Sequence, residues 1–179
     1  MIKTTTPTKV LSKEHENILK VITALIEESD KLEKGGQIDK KFFEKAIDFI
    51  KNYADKFHHA KEEDLLFVEF NKVNSDLHCN PVEQMLYEHE LGREFVKGMA
   101  ESLITSNKEN IIKNARGYAD LLKEHIFKED SILYPLVEEV FDKDTRIRLL
   151  KKFSDVETKK FSKNTINKYL LIAKEFEKR

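Results

Sequence analysis

The sequence predicts an all-α protein, an up-down-up-down four-helix bundle with additional helices at its C-terminal end. Three observations carry this. Apolar residues recur at helical spacing through four long stretches. Short breaker segments separate those stretches, as antiparallel neighbours in a bundle require. The chain has only five Gly and three Pro in 179 residues and is rich in Lys, Glu, Leu and Ile, which favours helix over sheet.

The first stretch, 10–34, sets Val10, Leu11, Ile18, Leu19, Ile22, Leu25 and Ile26 at helical spacing and stops at Gly35–Gly36, the expected C-terminal cap and turn. The second starts near Asp39 and runs through Phe42, Ala46, Ile50, Ala54, Phe57, Leu65 and Val68 toward Val73. Residues 74–81, NSDLHCNP, are turn-rich. Asn80 reads as an N-cap, with Pro81 at the first helical position, where its missing N–H costs nothing. The third helix is expected over 81–105, a break at Ser106–Asn107, and the fourth helix over 108–141. A shorter helix over 144–153 and an amphipathic one over 164–178 follow, packed outside the bundle. No repeat or linker divides the chain, which reads as one domain over 1–179, with the bundle at about 10–141 and a C-terminal extension at about 142–179.

Charged residues make up 36% of the chain, yet the formal net charge is −1, so no electrostatic case exists for nucleic acid or an anionic membrane. The longest apolar runs span a few residues, too short for a transmembrane helix. The start, MIKTTTPTKVL, lacks the apolar core of a signal peptide, and a single Cys excludes an internal disulfide. The expectation is a soluble, cytoplasmic protein, monomer or homodimer. Its last helix, carrying Ile166, Leu170, Ala173 and Phe176, packs on the bundle or forms a dimer contact.

The chemistry lies in four histidines, one per long helix: His15, His58, His89 and His125. Residues four apart share a helix face, so His58 with Glu62 and His125 with Glu129 each present a nitrogen and a carboxylate together. In an antiparallel hairpin, residues equidistant from the turn lie at one height. His15 is 21 residues before Gly36 and His58 is 22 after it, while His89 and His125 are each 18 from Asn107. Both hairpins therefore bring their histidines level. All four fall on apolar stripes: His15 among Leu11, Ile18, Leu19 and Ile22; His89 among Val82, Leu86, Val96 and Met99; His125 with Tyr118, Leu121, Leu122, Ile132 and Leu136. Four imidazoles and two carboxylates in one core are costly without a cation, so the set His15, His58, Glu62, His89, His125 and Glu129 reads as metal ligands.

At about 100° per residue, the stripe through Ile50, Ala54 and Phe57 leaves His58 near its edge and His59 beyond it. His59 with Glu63 is therefore expected to face solvent. Glu129 is preferred over Asp130 by the one-turn rule, with Asp130 reaching the site only if the helix is locally unwound. His78 and Cys79 sit in a turn with no helical partner in register and read as incidental. Nitrogen and carboxylate donors without thiolate suit iron, manganese or zinc. Six or more ligands on four helices fit a dinuclear centre better than a closed tetrahedral zinc site. No H-E-x-x-H is present. The Glu-x-x-His of ferritin-like sites is missing too, because Ser12, Asp55, Leu86 and Leu122 stand three residues before the histidines.

The reversed order, His first and carboxylate later, resembles the hemerythrin family, specifically the hemerythrin-like (HHE cation-binding) proteins. The likeness rests on S-K-E-H-E (12–16), F-H-H-A-K-E-E-D-L-L-F (57–67), M-L-Y-E-H-E-L-G-R (85–93) and H-I-F-K-E-D-S-I-L-Y-P (125–135) and covers about 10–141. It implies an oxo- or hydroxo-bridged pair of iron ions, with manganese or zinc as substitutes. His15 and His58 would hold one ion and His89 and His125 the other, with Glu62 and Glu129 bridging. Oxygen-carrying hemerythrins have a further histidine one turn before the position of His89, where this chain has Met85, a poor ligand. His59, Glu88 and Glu90 are the stand-ins at hand, and the face argument favours none. The expected function is binding or sensing of oxygen or a related diatomic ligand. The alternatives are an enzyme acting on peroxide or nitric oxide in a stress response, and a labile-iron store or sensor.

Overall fold

The computed structural model describes residues 5–73, 80–159 and 161–179. His78 and Cys79 lie outside these. Six helical rods follow in order. α1 is Pro7–Glu33. α2 runs over 40–73 and is built from Lys40–Phe49, Ile50–His59, Glu62–Leu66 and Phe67–Val73. α3 is Pro81–Ile104. α4 runs over 108–140 through Lys108–Lys128, Glu129–Leu133 and Tyr134–Val140. α5 is Lys143–Lys159 and α6 is Lys163–Phe176. No strand occurs among the described residues. Nor is any helix there long and apolar enough to cross a membrane.

Each rod begins where the sequence supplies an oxygen acceptor for an otherwise unpaired backbone N–H. Thr6 caps α1 through Lys9, Asp39 caps α2 through Phe42, Asn80 caps α3 through Val82, Asn107 caps α4 through Asn110, Asp142 caps α5 through Thr145, and Ser162 caps α6 through Thr165. Gly35 takes φ +97° at the end of α1, a left-handed conformation open to glycine, and a Cβ on Gly36 would meet the Lys31 carbonyl oxygen at 2.7 Å. α5 runs to Lys159, six residues past the end expected from apolar spacing. Val156 is buried, and Glu157 pairs with Lys61, so tertiary contacts extend the helix.

Three stretches among the described residues depart from α geometry. The Phe67 N–H donates to the Glu62 carbonyl, and the Tyr134 N–H to the Glu129 carbonyl, each five residues back. These are π turns, and Ile50–His59 is π-helical as well. In α4 a cause is visible: Pro135 has no N–H and its ring would crowd the carbonyl four residues earlier.

Two apolar clusters fill the bundle. One, at the Gly35 and Ser106 end, includes Ile22, Leu25, Phe43, Phe49, Met99, Ile111 and Ala115. The other includes Leu11, Leu66, Phe67, Phe70, Val82, Leu133, Tyr134, Leu149 and Phe153. A fully buried side chain of this size contributes roughly 1.5–3 kcal/mol. α6 lies against α1 and α2, with Phe176 5.0 Å from Phe42 and Tyr169 6.0 Å from Phe49, ring centre to ring centre. Ala173 and Phe176 are buried there. α5 covers the second cluster through Leu149 and Phe153. Between the two clusters, along all four bundle helices, lies a buried polar layer.

Candidate metal centre

That layer is the predicted constellation. His15, His58, Glu62, His89, His125 and Glu129 are each at most 2% exposed. The hairpin heights hold: His15 Nε2 lies 3.0 Å from His58 Nε2, and His89 Nε2 lies 3.0 Å from His125 Nε2. The two carboxylates lie between these pairs. Glu129 places Oε2 3.3 Å from His15 Nε2 and Oε1 3.3 Å from His125 Nε2. Glu62 Oε2 is 3.5 Å from His58 Nε2 and 3.6 Å from His89 Nε2. Its Oε1 accepts the Tyr134 hydroxyl at 2.5 Å.

Every one of these imidazoles also faces a carboxylate at Nδ1. His15 faces Asp130 at 3.2 Å, His58 faces Glu14 at 2.9 Å, His89 faces Glu63 at 2.6 Å, and His125 faces Glu88 at 2.9 Å. A carboxylate acceptor assigns the proton to Nδ1 and turns the Nε2 lone pair inward, the arrangement that orients metal-bound histidines. The outer carboxylates are themselves held. Lys61 pairs with Glu14, Arg93 with Glu63 at 2.7 Å, Lys128 with Glu88, and the Ser12 hydroxyl donates to Asp130 at 2.6 Å.

The electrostatics state the need for a cation. Glu62 Oε2 and both oxygens of Glu129 are buried with no properly aligned hydrogen-bond donor among the described residues, a costly state for a carboxylate. Burial and the neighbouring Glu129 charge push Glu62 well above the usual carboxylate range. Burial also opposes ionisation of Glu129, but His125 and His15 outweigh it and hold Glu129 well below that range. Burial disfavours charge on His15 and His125 too. The Asp130 and Glu129 carboxylates nonetheless lift His15 to about 10, and Glu129 and Glu88 do the same for His125. Burial and the charge on His15 keep His58 neutral. A metal ion meets the same lone pairs and the orphaned carboxylate oxygens at once, so the donor set fits one.

Two donor groups close enough to hold an ion occur among the described residues: His15, His58, Glu62 and Glu129, and His59, His89 and His125. The second contains a residue whose expected placement fails. His59 does not face solvent: it is 7% exposed and stacks on His89 with ring centres 3.7 Å apart and planes 14° apart. The 100° phase assumed for α2 does not hold where i→i+5 bonding widens the turn, and both histidines of the doublet come inward. Glu63 serves the Nδ1 of His89 rather than pairing with His59. Of the other stand-ins for Met85, Glu88 faces the outer nitrogen of His125, and exposed Glu90 pairs with Arg93. Asp130 sits behind His15, outside the inner layer. Leu86 and Ile132, expected on the inward stripes, are 38% and 52% exposed. The signal that could have located the outer layer was a carboxylate next in sequence to an inner residue: Glu63 after Glu62, Asp130 after Glu129, Glu14 before His15 and Glu88 before His89.

A cavity of about 250 Å³ reaches the His59 and His89 side of the centre between α2, α3 and α4, with Ile50, Val96, Leu122 and Tyr118 on its wall. The Tyr118 hydroxyl is buried without a hydrogen-bond partner among the described residues. The model of the hemerythrin HHE cation binding domain matches residues 6–137. No curated protein and no solved structure matches the chain.

Proposed function

Because the chain belongs to the hemerythrin HHE cation-binding family, we propose that its buried layer holds two iron ions and binds or senses oxygen or a related small ligand. His15 and His58 would serve one ion and His89 and His125 the other, with Glu62 and Glu129 shared. The observation that carries this is the set of three buried carboxylate oxygens without aligned donors, lying 3.3 to 3.6 Å from four inward-turned imidazole nitrogens. When bound, a ferrous pair supplies electrons and an exchangeable coordination position for a diatomic ligand.

The remaining work falls to the protein's own side chains. Ile50, Val96 and Leu122 line the approach with apolar surface that disfavours bulk water. Tyr118 lies on that wall, with its hydroxyl buried and without a hydrogen-bond partner among the described residues. Tyr134 holds its proton at Glu62 Oε1, so one carboxylate of the pair is hydrogen-bonded and the other is not. The outer carboxylates fix each ring.

The test is metal content of the purified chain, followed by visible absorption of the reduced, iron-loaded protein on exposure to oxygen and, separately, nitric oxide. Two irons per chain and a reversible spectral change support the reading; a chain that takes up no metal ends it. The cavity also admits a substrate, which favours a second reading as an enzyme acting on peroxide or nitric oxide. Product formed over many cycles per chain, and lost in His125→Ala, distinguishes it. A third reading, a labile-iron store or sensor, predicts loss of helix on chelation.

A further inference from the structure

His59 is the histidine of the inner layer that the four-histidine scheme leaves without a task. The ring is 7% exposed and borders the cavity between α2, α3 and α4. Its Nδ1 faces Asp55 Oδ1 at 3.4 Å, and its other nitrogen has no hydrogen-bond partner among the described residues. Asp55 is in turn held by the Arg93 guanidinium at 2.7 and 2.9 Å. That is the pattern of the four inner histidines: an outer carboxylate at Nδ1, itself pinned by a cation or hydroxyl, and the second nitrogen left for the centre.

Position agrees with pattern. One donor atom each from His59, His89 and His125 lies within 4.8 Å of the others. The matching group on the other side has two imidazoles and both carboxylates. We propose that His59 is a metal ligand, completing a three-imidazole site with His89 and His125 while His15 and His58 serve the partner ion. This rests on the reading that the layer holds two ions, and it makes their protein ligand sets unequal. The π-helical stretch Ile50–His59 is the device that achieves it, because it brings adjacent residues of one helix to two different ions.

The experiment loads the full chain anaerobically with ferrous iron and reads three quantities: iron per chain, the rate of release to a competing chelator, and the Mössbauer spectrum. The wild type is expected to hold two irons in distinguishable environments. In His59→Ala one iron should leave roughly 10–100-fold faster, with one Mössbauer component altered and the other unchanged. Free imidazole, admitted through the adjoining cavity, should restore slow release. Should His59→Ala lose its helical circular dichroism, Asp55→Asn decides instead, with faster release of the same iron expected. A wild type that binds no iron overturns both this inference and the di-iron reading. A wild type with two irons whose release and spectrum survive His59→Ala or, if that variant is unfolded, Asp55→Asn unchanged overturns this inference alone.

Discussion

Glu62 and Glu129 each open a π turn on opposite helices of the bundle, yet their surroundings push the two carboxyl groups in opposite directions. Burial and the Glu129 charge raise the pKa of Glu62, while His125 and His15 outweigh burial and lower that of Glu129. The two equivalent substitutions should therefore differ in the metal-free protein. Glu62→Gln removes the cost of protonating a carboxylate on folding and should leave the unfolding free energy at neutral pH unchanged or higher. Glu129→Gln strands two buried imidazolium charges and should cost about 3–5 kcal/mol. Urea denaturation of the two metal-free variants is the check, and equal losses would contradict the assignment. Both variants should lose metal affinity.

Alkaline pH should destabilise the metal-free fold. His15 and His125 are lifted from 6.5 to about 10 by their carboxylate neighbours, against the effect of burial. A base whose folded pKa exceeds its unfolded value contributes stability that is complete below 6.5 and is lost as pH rises toward 10. Glu62 acts in the same direction. Melting temperature should therefore fall across that window without metal and fall far less with it. Thermal scans of both forms measure this.

Lys61 is fully buried, paired with Glu14 and 3.7 Å above the Phe57 ring. Lys61→Met should cost about 3–5 kcal/mol, because Glu14 is left buried beside a neutral chain. Adding Glu14→Gln should recover most of that loss in a double-mutant cycle. Glu14→Gln alone, by freeing the outer nitrogen of His58, should weaken metal affinity by roughly 10–100-fold, read by chelator competition.

Tyr134→Phe removes the hydroxyl that donates to Glu62 Oε1. The expected loss is about 1 kcal/mol in the metal-free protein, with both metal ions retained on elemental analysis. Loss of metal would show that the phenol does more than hold a proton.

The bundle was legible in the sequence because its signals are local. Caps at Asp39, Asn80 and Asn107 and the stop at Gly35 act within a turn of their own position, and equal distances from those turns brought His15 to His58 and His89 to His125. What escaped was phase. A fixed angle per residue turns His59 outward, and only the lengthened hydrogen bonds of Ile50–His59 bring it in. The outer carboxylates escaped for a different reason. Asp130 is 115 residues from His15 and Glu63 is 26 from His89, so no spacing rule on a single helix joins them.

Arg93 reaches three acids at once: Asp55 behind His59, Glu63 behind His89, and the exposed Glu90. One guanidinium on the rim thus sets the aim of two neighbouring rings. Its removal would misalign both together, a heavier penalty than losing either acid alone, and would do so from a position that never touches the centre itself.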